Sequence, residues 1–376
     1  MVSRFIEKQL LAGLRGGKVI GLLGARRVGK TVLMKKIKDA LAKKKVLMVY
    51  GENLDAIEAL SSQRLNVLER LIKGYDHLFI DEAQGIPNIG QNLKLLVDNF
   101  PKLSIFVTGS SSFDLKSKIG EPLVGRSLFL HLYPFAQLEL QAEGDYLSNK
   151  EKLEERLIYG SYPQVVTAKS IKEKIEQLEA IRDGYLLKDI LALDNIKNSL
   201  FIFNLLRLLA FQIGQDVSFS ELASNLNVNK KTVMRYLELL EKTFVIFSLQ
   251  GFSKNLRKEY TKSPRFYFCD NGIRNVIISN FNHLNLRDDV GKLWENYCMV
   301  ERIKKTSYEN RHCNRYFWRT YDQKEIDLIE EKNGKLYGFE FKWGKGKVKT
   351  PKAFIEAYPG SLYRVINQEN YLNFIT

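Results

Sequence analysis

The sequence predicts an α/β protein: a parallel sheet covered by helices at the amino-terminal end, a helical middle, and a second α/β domain at the other end. Three observations carry this expectation. Short apolar runs alternate with helically spaced stretches between residues 18 and 132. A glycine-rich loop joins the first apolar run to the first strong helix. From Gly251 onward the chain becomes basic, aromatic and strand-rich.

The elements follow in order. Residues 4–15 have the spacing of an amphipathic helix, and Lys18–Leu23 reads as a buried strand. Val32–Leu41 places Leu33, Ile37 and Leu41 on one helical face. Lys45–Gly51 is a second strand, and residues 55–73 a helix whose pattern is softened by Gln63 and Asn66. His77–Gln84 is an apolar strand ending in acids; residues 88–99 are helical; Leu103–Ser110 and Ser127–Leu132 are further strands. Strands alternating with helices require crossover connections, which make the sheet parallel. Ligands then bind at the carboxyl ends of the strands.

Between the first strand and helix stands Gly24-Ala25-Arg26-Arg27-Val28-Gly29-Lys30-Thr31, followed by Val32. This is the spacing of a phosphate-binding loop, G-x-x-x-x-G-K-[ST], in the strand–loop–helix context that the motif needs. The glycines let successive N–H groups curl toward an anion, and the helix amino terminus adds its positive dipole end. Lys30 is expected on the β- and γ-phosphates of ATP, and the Thr31 hydroxyl on a Mg²⁺ ion.

Asp81 closes the apolar run His77–Ile80, where its carboxylate would hold the same Mg²⁺. Glu82 would orient or deprotonate the attacking water. Thr108 and Ser110, at the end of the next strand, could sense the γ-phosphate or fix the water, although Thr-Gly-Ser is also ordinary turn chemistry. Arg126, in a Gly- and Pro-rich segment, could act as an arginine finger or be a plain surface residue. The sequence leaves open whether it would reach its own nucleotide or a neighbour's.

Together Gly24–Thr31, Phe79–Gln84, Thr108–Ser112, Gly125-Arg126 and Leu132-Tyr133-Pro134-Phe135 resemble the AAA-like archaeal and bacterial P-loop ATPases, which carry a C-terminal domain of unknown function. The resemblance covers most of residues 1–140. It implies an additional-strand, catalytic-glutamate P-loop fold with Asp81 and Glu82 in the roles just argued. Tyr159–Val165 resembles that family's Gly-x-x-Pro turn, and no function follows from its residues.

Residues 143–197 read as a helical lid or connector, and Leu200–Gln212 as a very apolar helix. Ser218–Leu226 is a capped helix; after Asn227-Val228-Asn229 comes a basic helix from Lys230, then the β-rich Thr243–Phe247. Helix, turn, basic helix and strand form the pattern of a winged helix-turn-helix over residues 198–252. Lys230, Lys231, Thr232 and Arg235 open the second helix, where a recognition helix meets DNA. Many winged helices contact only other domains.

In residues 253–376, strands are expected at Arg265–Asp270 before an Asn271-Gly272 turn, at Tyr316–Arg319, at Glu325–Ile329 and at Leu336–Lys342, with a helix at Gly291–Glu301. Twelve residues separate Asp327 from Glu340. Period-two alternation puts Glu340 and Lys342 on one face, and a neighbouring strand would bring Asp327 beside them. Two carboxylates can hold a divalent metal, Lys342 can activate water, and Glu295 could add a third acid. The set resembles the PD-(D/E)xK nuclease-like fold, here without the Pro before the Asp. Such folds are also reused for binding alone.

The chain carries 58 Lys and Arg against 43 Asp and Glu, a formal charge of +15. Residues 251–376 hold 23 basic against 15 acidic residues, a net +8 on one third of the length. That balance favours a polyanionic partner, most simply DNA. No apolar run has the length of a membrane span or a signal-peptide core, and Cys269, Cys298 and Cys313 lack metal-site or disulfide spacing. Both points lead to an expected cytoplasmic location.

Two functions are weighed: an ATPase whose nucleotide state repositions DNA-engaging modules, and a nucleotide-dependent regulatory protein whose C-terminal acids are inert. A nucleotide kinase is disfavoured, because no acceptor-binding arginine lid is apparent and Asp81-Glu82 suits attack by water. Oligomeric assembly is left open.

Overall fold

A computed structural model of the chain describes residues 2–110, 119–120, 122–140, 146–186, 199–253, 263–320, 323–344 and 351–376. Ser111 and Ser112 of the resemblance, and the end of the expected connector, lie outside these. The described residues divide into two compact units, Met1–Phe135 with Lys242–Phe244, and Ala136–Glu241 with Val245–Thr376.

The first unit is a five-stranded, wholly parallel sheet. Its elements are α1 (Glu7–Gly13), β1 (Lys18–Leu23), α2 (Lys30–Ala40), β2 (Val46–Tyr50), α3 (Leu54–Ser61), α4 (Leu65–Ile72), β3 (His77–Asp81), α5 (Ile89–Asn99), β4 (Ser104–Gly109) and β5 (Ser127–His131). The strand order is β2-β3-β4-β1-β5, so β4 stands between the loop-bearing β1 and the acid-bearing β3. This is the additional-strand layout that the resemblance implies. Strands β3 and β4 are buried throughout, as expected for strands covered on both faces. Leu78, Ile80, Ile105 and Val107 pack there with Leu93 and Leu96 of α5.

One expected helix is two. Residues 55–73 break at Gln63, which takes a left-handed backbone with φ 53°. Its N–H leaves the helical ladder and donates to the side chain of Asn92 at 2.9 Å. Periodicity continues across such a break because both helices bury the same side.

The second unit contains α6 (Gln137–Leu140), α7 (Tyr146–Tyr159), α8 (Pro163–Val166), α9 (Ile171–Ile181), α10 (Ser199–Phe211), α11 (Phe219–Asn225), α12 (Lys230–Lys242), β6 (Ile246–Gly251), β7 (Arg265–Phe268), α13 (Asn271–Ile277), α14 (Val290–Tyr308), β8 (Asn314–Arg319), β9 (Glu325–Lys332), β10 (Lys335–Phe341), α15 (Lys352–Ala357), β11 (Leu362–Ile366) and α16 (Tyr371–Ile375). A six-stranded sheet runs β11-β10-β9-β8-β6-β7. The sequence boundary at 252/253 therefore falls between β6 and β7, which pair antiparallel in one sheet.

The expected turn at Asn271-Gly272 is the start of α13. Asp270 caps it, its side chain accepting from the N–H groups of Gly272 and Ile273 at 2.8 and 3.3 Å. The other Asp270 oxygen accepts from Ser161 N at 2.7 Å, and Asn275 donates to the carbonyls of Leu157 and Ile158. The Gly-x-x-Pro turn is thus held at Ser161 by the buried cap residue Asp270, and the end of α7 before it by Asn275. No helix among the described residues is long and apolar enough to cross a membrane.

Candidate functional site

In the first unit, Gly29 ends the loop in the left-handed region, φ 98°, which residues with a Cβ rarely adopt. A Cβ on Gly24 would stand 2.2 Å from the carbonyl oxygen of Leu132, so only glycine lets β1 turn there. Arg4, which the sequence reading passed over, supports the loop from outside: its buried guanidinium donates to the carbonyls of Val28 and Tyr133 and stacks on Phe135. Nothing in its sequence neighbourhood signals this, because the partners are distant in the chain.

Lys30 is 4% exposed, and its ammonium donates to the carbonyls of Gly24 and Ala25 at 3.0 Å each. It also lies 3.7 Å from a Glu82 carboxylate oxygen. The Thr31 hydroxyl donates to Asp81 Oδ2 at 2.6 Å. The two groups expected on one cation are thus adjacent, a hydroxyl and a carboxylate at the loop's helix start; hard oxygen donors of this kind suit Mg²⁺. Val32, next on α2, is 53% exposed, and Arg26 and Arg27 are exposed on the loop.

Thr108 is fully buried. Its hydroxyl donates to Asp81 Oδ1 and accepts from Glu82 N at 3.0 Å. That makes Thr108 a brace for both acids, set beneath the site. Ser110 accepts instead from Gln84 Nε2 at 3.0 Å.

Arg126, for which the sequence leaves open its own or a neighbour's nucleotide, lies away from its own chain's phosphate loop. Strand β5 runs parallel to β1 with Ser127 opposite Val19 and His131 opposite Leu23. The loop follows Leu23, so Arg126, level with Lys18, sits at the far end of the sheet, about 16 Å from Leu23 along the strand. Its guanidinium is ion-paired with Asp98 there. The parallel direction expected of the sheet already implies that end, since Arg126 precedes β5; the ion pair with Asp98 is what sequence could not reveal.

The second unit gathers a second set. Asp327 Oδ2 accepts from Phe341 N at 2.8 Å, and Lys342 Nζ pairs with Glu340 Oε1 at 2.8 Å. The pairing of β8 with β9 shifts register between Tyr316 and Trp318. An irregularity beside Asp327 is a common way to re-aim a side chain. Glu340 Oε2 is buried with no hydrogen-bond partner, an orphaned oxygen of the sort a cation would satisfy. Asp327 and Glu340 are the two carboxylates whose hard oxygens could hold a divalent ion here.

The expected third acid stands differently. Glu295 Oε1 accepts from the hydroxyl of Tyr267 at 2.7 Å, and among the described residues no group of three His, Cys, Asp or Glu is assembled to hold a metal. Tyr267 was invisible to sequence reasoning, because a buried tyrosine in an aromatic strand reads as core.

Burial pushes the Asp327 carboxyl well up, and the neighbouring Glu295 and Glu340 reinforce it. Burial raises Glu295 to about 7, against the Tyr267 hydrogen bond and the charge of Arg265, which favour its ionised form. Burial works against the Lys342 ammonium, yet Glu340, Asp327 and Glu295 together hold its pKa above the ordinary value. A carboxyl whose folded pKa exceeds its unfolded one contributes stability that is present below about 4.5 and lost as pH rises through about 7. Glu295→Gln keeps an acceptor for Tyr267 and removes that loss. At pH 8 the variant should unfold at a higher temperature than the parent, by about 2 kcal/mol after allowance for partial solvent screening. At pH 4.5 the two should coincide, and calorimetry reads both points. A variant no more stable at pH 8 would remove the electrostatic account.

On α12, Lys230, Lys231 and Arg235 are exposed with Met234, which is 47% exposed, so the outward stripe follows the i, i+4 spacing. Thr232 is committed to the helix start, its N–H and hydroxyl both donating to Asn229 Oδ1, at 2.8 and 3.0 Å.

Residues 16–141 match the family model described as an AAA domain. Over those residues the first unit is similar to an AAA-type P-loop domain. Residues 150–284 match a domain of unknown function (DUF8612) and residues 290–374 another (DUF4143). Three curated relatives carry no assigned role. An uncharacterized protein of Mycobacterium tuberculosis is 29% identical over 342 residues, covering 89% of this chain and 72% of its own. One of Methanocaldococcus jannaschii is 25% identical over 349 residues, covering 88% and 75%. One of Haemophilus influenzae is 26% identical over 356 residues, covering 88% and 84%.

Among solved structures, the replication initiator DnaA bound to AMPPCP and single-stranded DNA overlaps 63% of this chain and 86% of that one, at 17% identity and a TM-score of 0.31. Drosophila ORC bound to AT-rich DNA and Cdc6 overlaps 73% and 89%, at 13% identity and a TM-score of 0.25. Overlaps of this quality leave the fold assignment to the strand order and the loop.

Proposed function

We propose that the protein hydrolyses ATP in a Mg²⁺-dependent way and that its nucleotide state governs a DNA-engaging second unit. One observation carries the hydrolytic half: Lys30, Thr31, Asp81 and Glu82 converge at the loop although β3 is 50 residues downstream of it. Thr31 and Asp81 would hold a Mg²⁺ ion, which would supply charge neutralisation at the phosphates. Lys30 exchanges its two carbonyl partners for β- and γ-phosphate oxygens. Glu82 takes the proton of the attacking water as the new P–O bond forms and the bond to ADP breaks. Thr108 holds Asp81 and the Glu82 backbone in register for this.

Glu82→Gln tests the assignment. The amide keeps size and hydrogen bonding but cannot take a proton. ATP affinity should stay within about threefold while kcat falls about a hundredfold or more. A fully active variant would move the base elsewhere.

The DNA-engaging half rests on the net +8 of residues 251–376, the basic stripe of α12, and the pairing of Asp327, Glu340 and Lys342. In this reading residues 1–142 are the ATPase core, 143–197 a connector, 198–252 a winged helix that ends in β6, and 253–376 a PD-(D/E)xK nuclease-like domain. Asp327 and Glu340 would hold a divalent ion that supplies charge neutralisation at a phosphodiester, with Lys342 beside the water. The competing reading keeps the fold and makes the acids inert, leaving a nucleotide-dependent interaction protein. The buried, partnerless Glu340 oxygen favours the first.

A further inference from the structure

Glu82 is held by a side chain to which no role has been assigned. Its own backbone lies in the left-handed region, φ 53° and ψ 46°, and a 3-10 turn over Ala83–Gly85 follows. A non-glycine residue there stores of order 1 kcal/mol of strain and persists only where its surroundings impose it. The consequence is that the chain doubles back and lays the Gln84 amide against the carboxylate. Gln84 Nε2 donates one proton to Glu82 Oε2 and the other to Ser110 Oγ, at 3.0 Å for the latter. The remaining Glu82 oxygen faces the Lys30 ammonium at 3.7 Å.

Both oxygens of the carboxylate are thereby engaged, and its rotation is fixed from two sides. Ser110 is the residue immediately after β4, and Thr108 of the same strand braces Asp81. The end of β4 therefore holds each acid of the Asp81-Glu82 pair separately, Asp81 directly and Glu82 through Gln84. An amide suits the second task because its two N–H groups diverge and can span two acceptors; a carboxylate has no proton to give.

We propose that Gln84 is a positioning residue for hydrolysis, which sets the rotamer of Glu82 and transmits displacements of Ser110 to that carboxylate. The proposal rests on Glu82 as the water-activating base. A role confined to stabilising the turn would lower thermal stability and leave the pH dependence of turnover alone.

The test measures ATP turnover and calorimetric ATP affinity for the full chain and for Gln84→Leu and Gln84→Glu. Gln84→Leu should lower kcat about thirtyfold with affinity within about threefold. Gln84→Glu sets a second carboxylate against Glu82, so the two share a proton and the acidic limb of the kcat–pH profile should move up by about one pH unit or more. A kcat within twofold of the parent for Gln84→Leu, with an unmoved limb for Gln84→Glu, overturns the proposal. So does a loss of turnover that tracks a lowered melting temperature with the limb unmoved. An active parent with indifferent variants removes Gln84 alone, whereas a parent that binds ATP and never turns it over removes Glu82 as base and Gln84 with it.

Discussion

Lys30→Ala is expected to weaken Mg·ATP binding by roughly 10²–10³-fold. The loop surrounds the ammonium with protein, leaving it 4% exposed, and its present partners are the two carbonyls at 3.0 Å and Glu82 at 3.7 Å. Charge-assisted contacts to two phosphates in such a place are each worth about 1.5–3 kcal/mol. Alanine leaves the Gly24 and Ala25 carbonyls to water, so the fold should survive; circular dichroism checks this beside the calorimetric titration. Affinity within tenfold of the parent would overturn the loop as the nucleotide site.

Under the proposed nuclease-like reading, Glu340→Ala and Lys342→Ala should lower nicking of supercoiled plasmid in Mg²⁺ or Mn²⁺, by about a thousandfold for the acid and about a hundredfold for the lysine. The acid has the larger effect because removing it leaves Asp327 alone to hold a cation, and single carboxylates hold divalent ions weakly. Lys342 also neutralises Glu340 at 2.8 Å, so its loss adds repulsion between buried acids. Residual cleavage equal to the parent's in both variants would assign the activity elsewhere. A parent that binds plasmid and never nicks it would establish the inert-acid reading instead.

The nucleotide site was legible because its chemistry is local. Gly24, Gly29, Lys30 and Thr31 fall within eight consecutive residues, and the strand and helix on either side are those the motif requires. Asp81 was legible for a related reason: an apolar run fixes where a strand ends, and the parallel fold fixes which end bears ligand. Gln63 marks the limit of periodicity, since a left-handed residue between two helices leaves the apolar pattern intact. Asn271-Gly272 misled because the pair favours turns, whereas the cap from Asp270 and the buried Asn271 and Asn275 make it a helix start.

From the residues alone came the order of strands and helices, the phosphate loop, the strand-end acids and the D…ExK spacing, each set by neighbours a few positions apart. Tertiary structure decided what depends on register and on contacts between distant segments. Contacts across the fold paired Arg126 with Asp98, and the turn at Glu82 brought Gln84 back onto that carboxylate. Burial raised the carboxyl pKa of Glu295 and Asp327, since desolvation belongs to the packed chain and no stretch of sequence encodes it by itself.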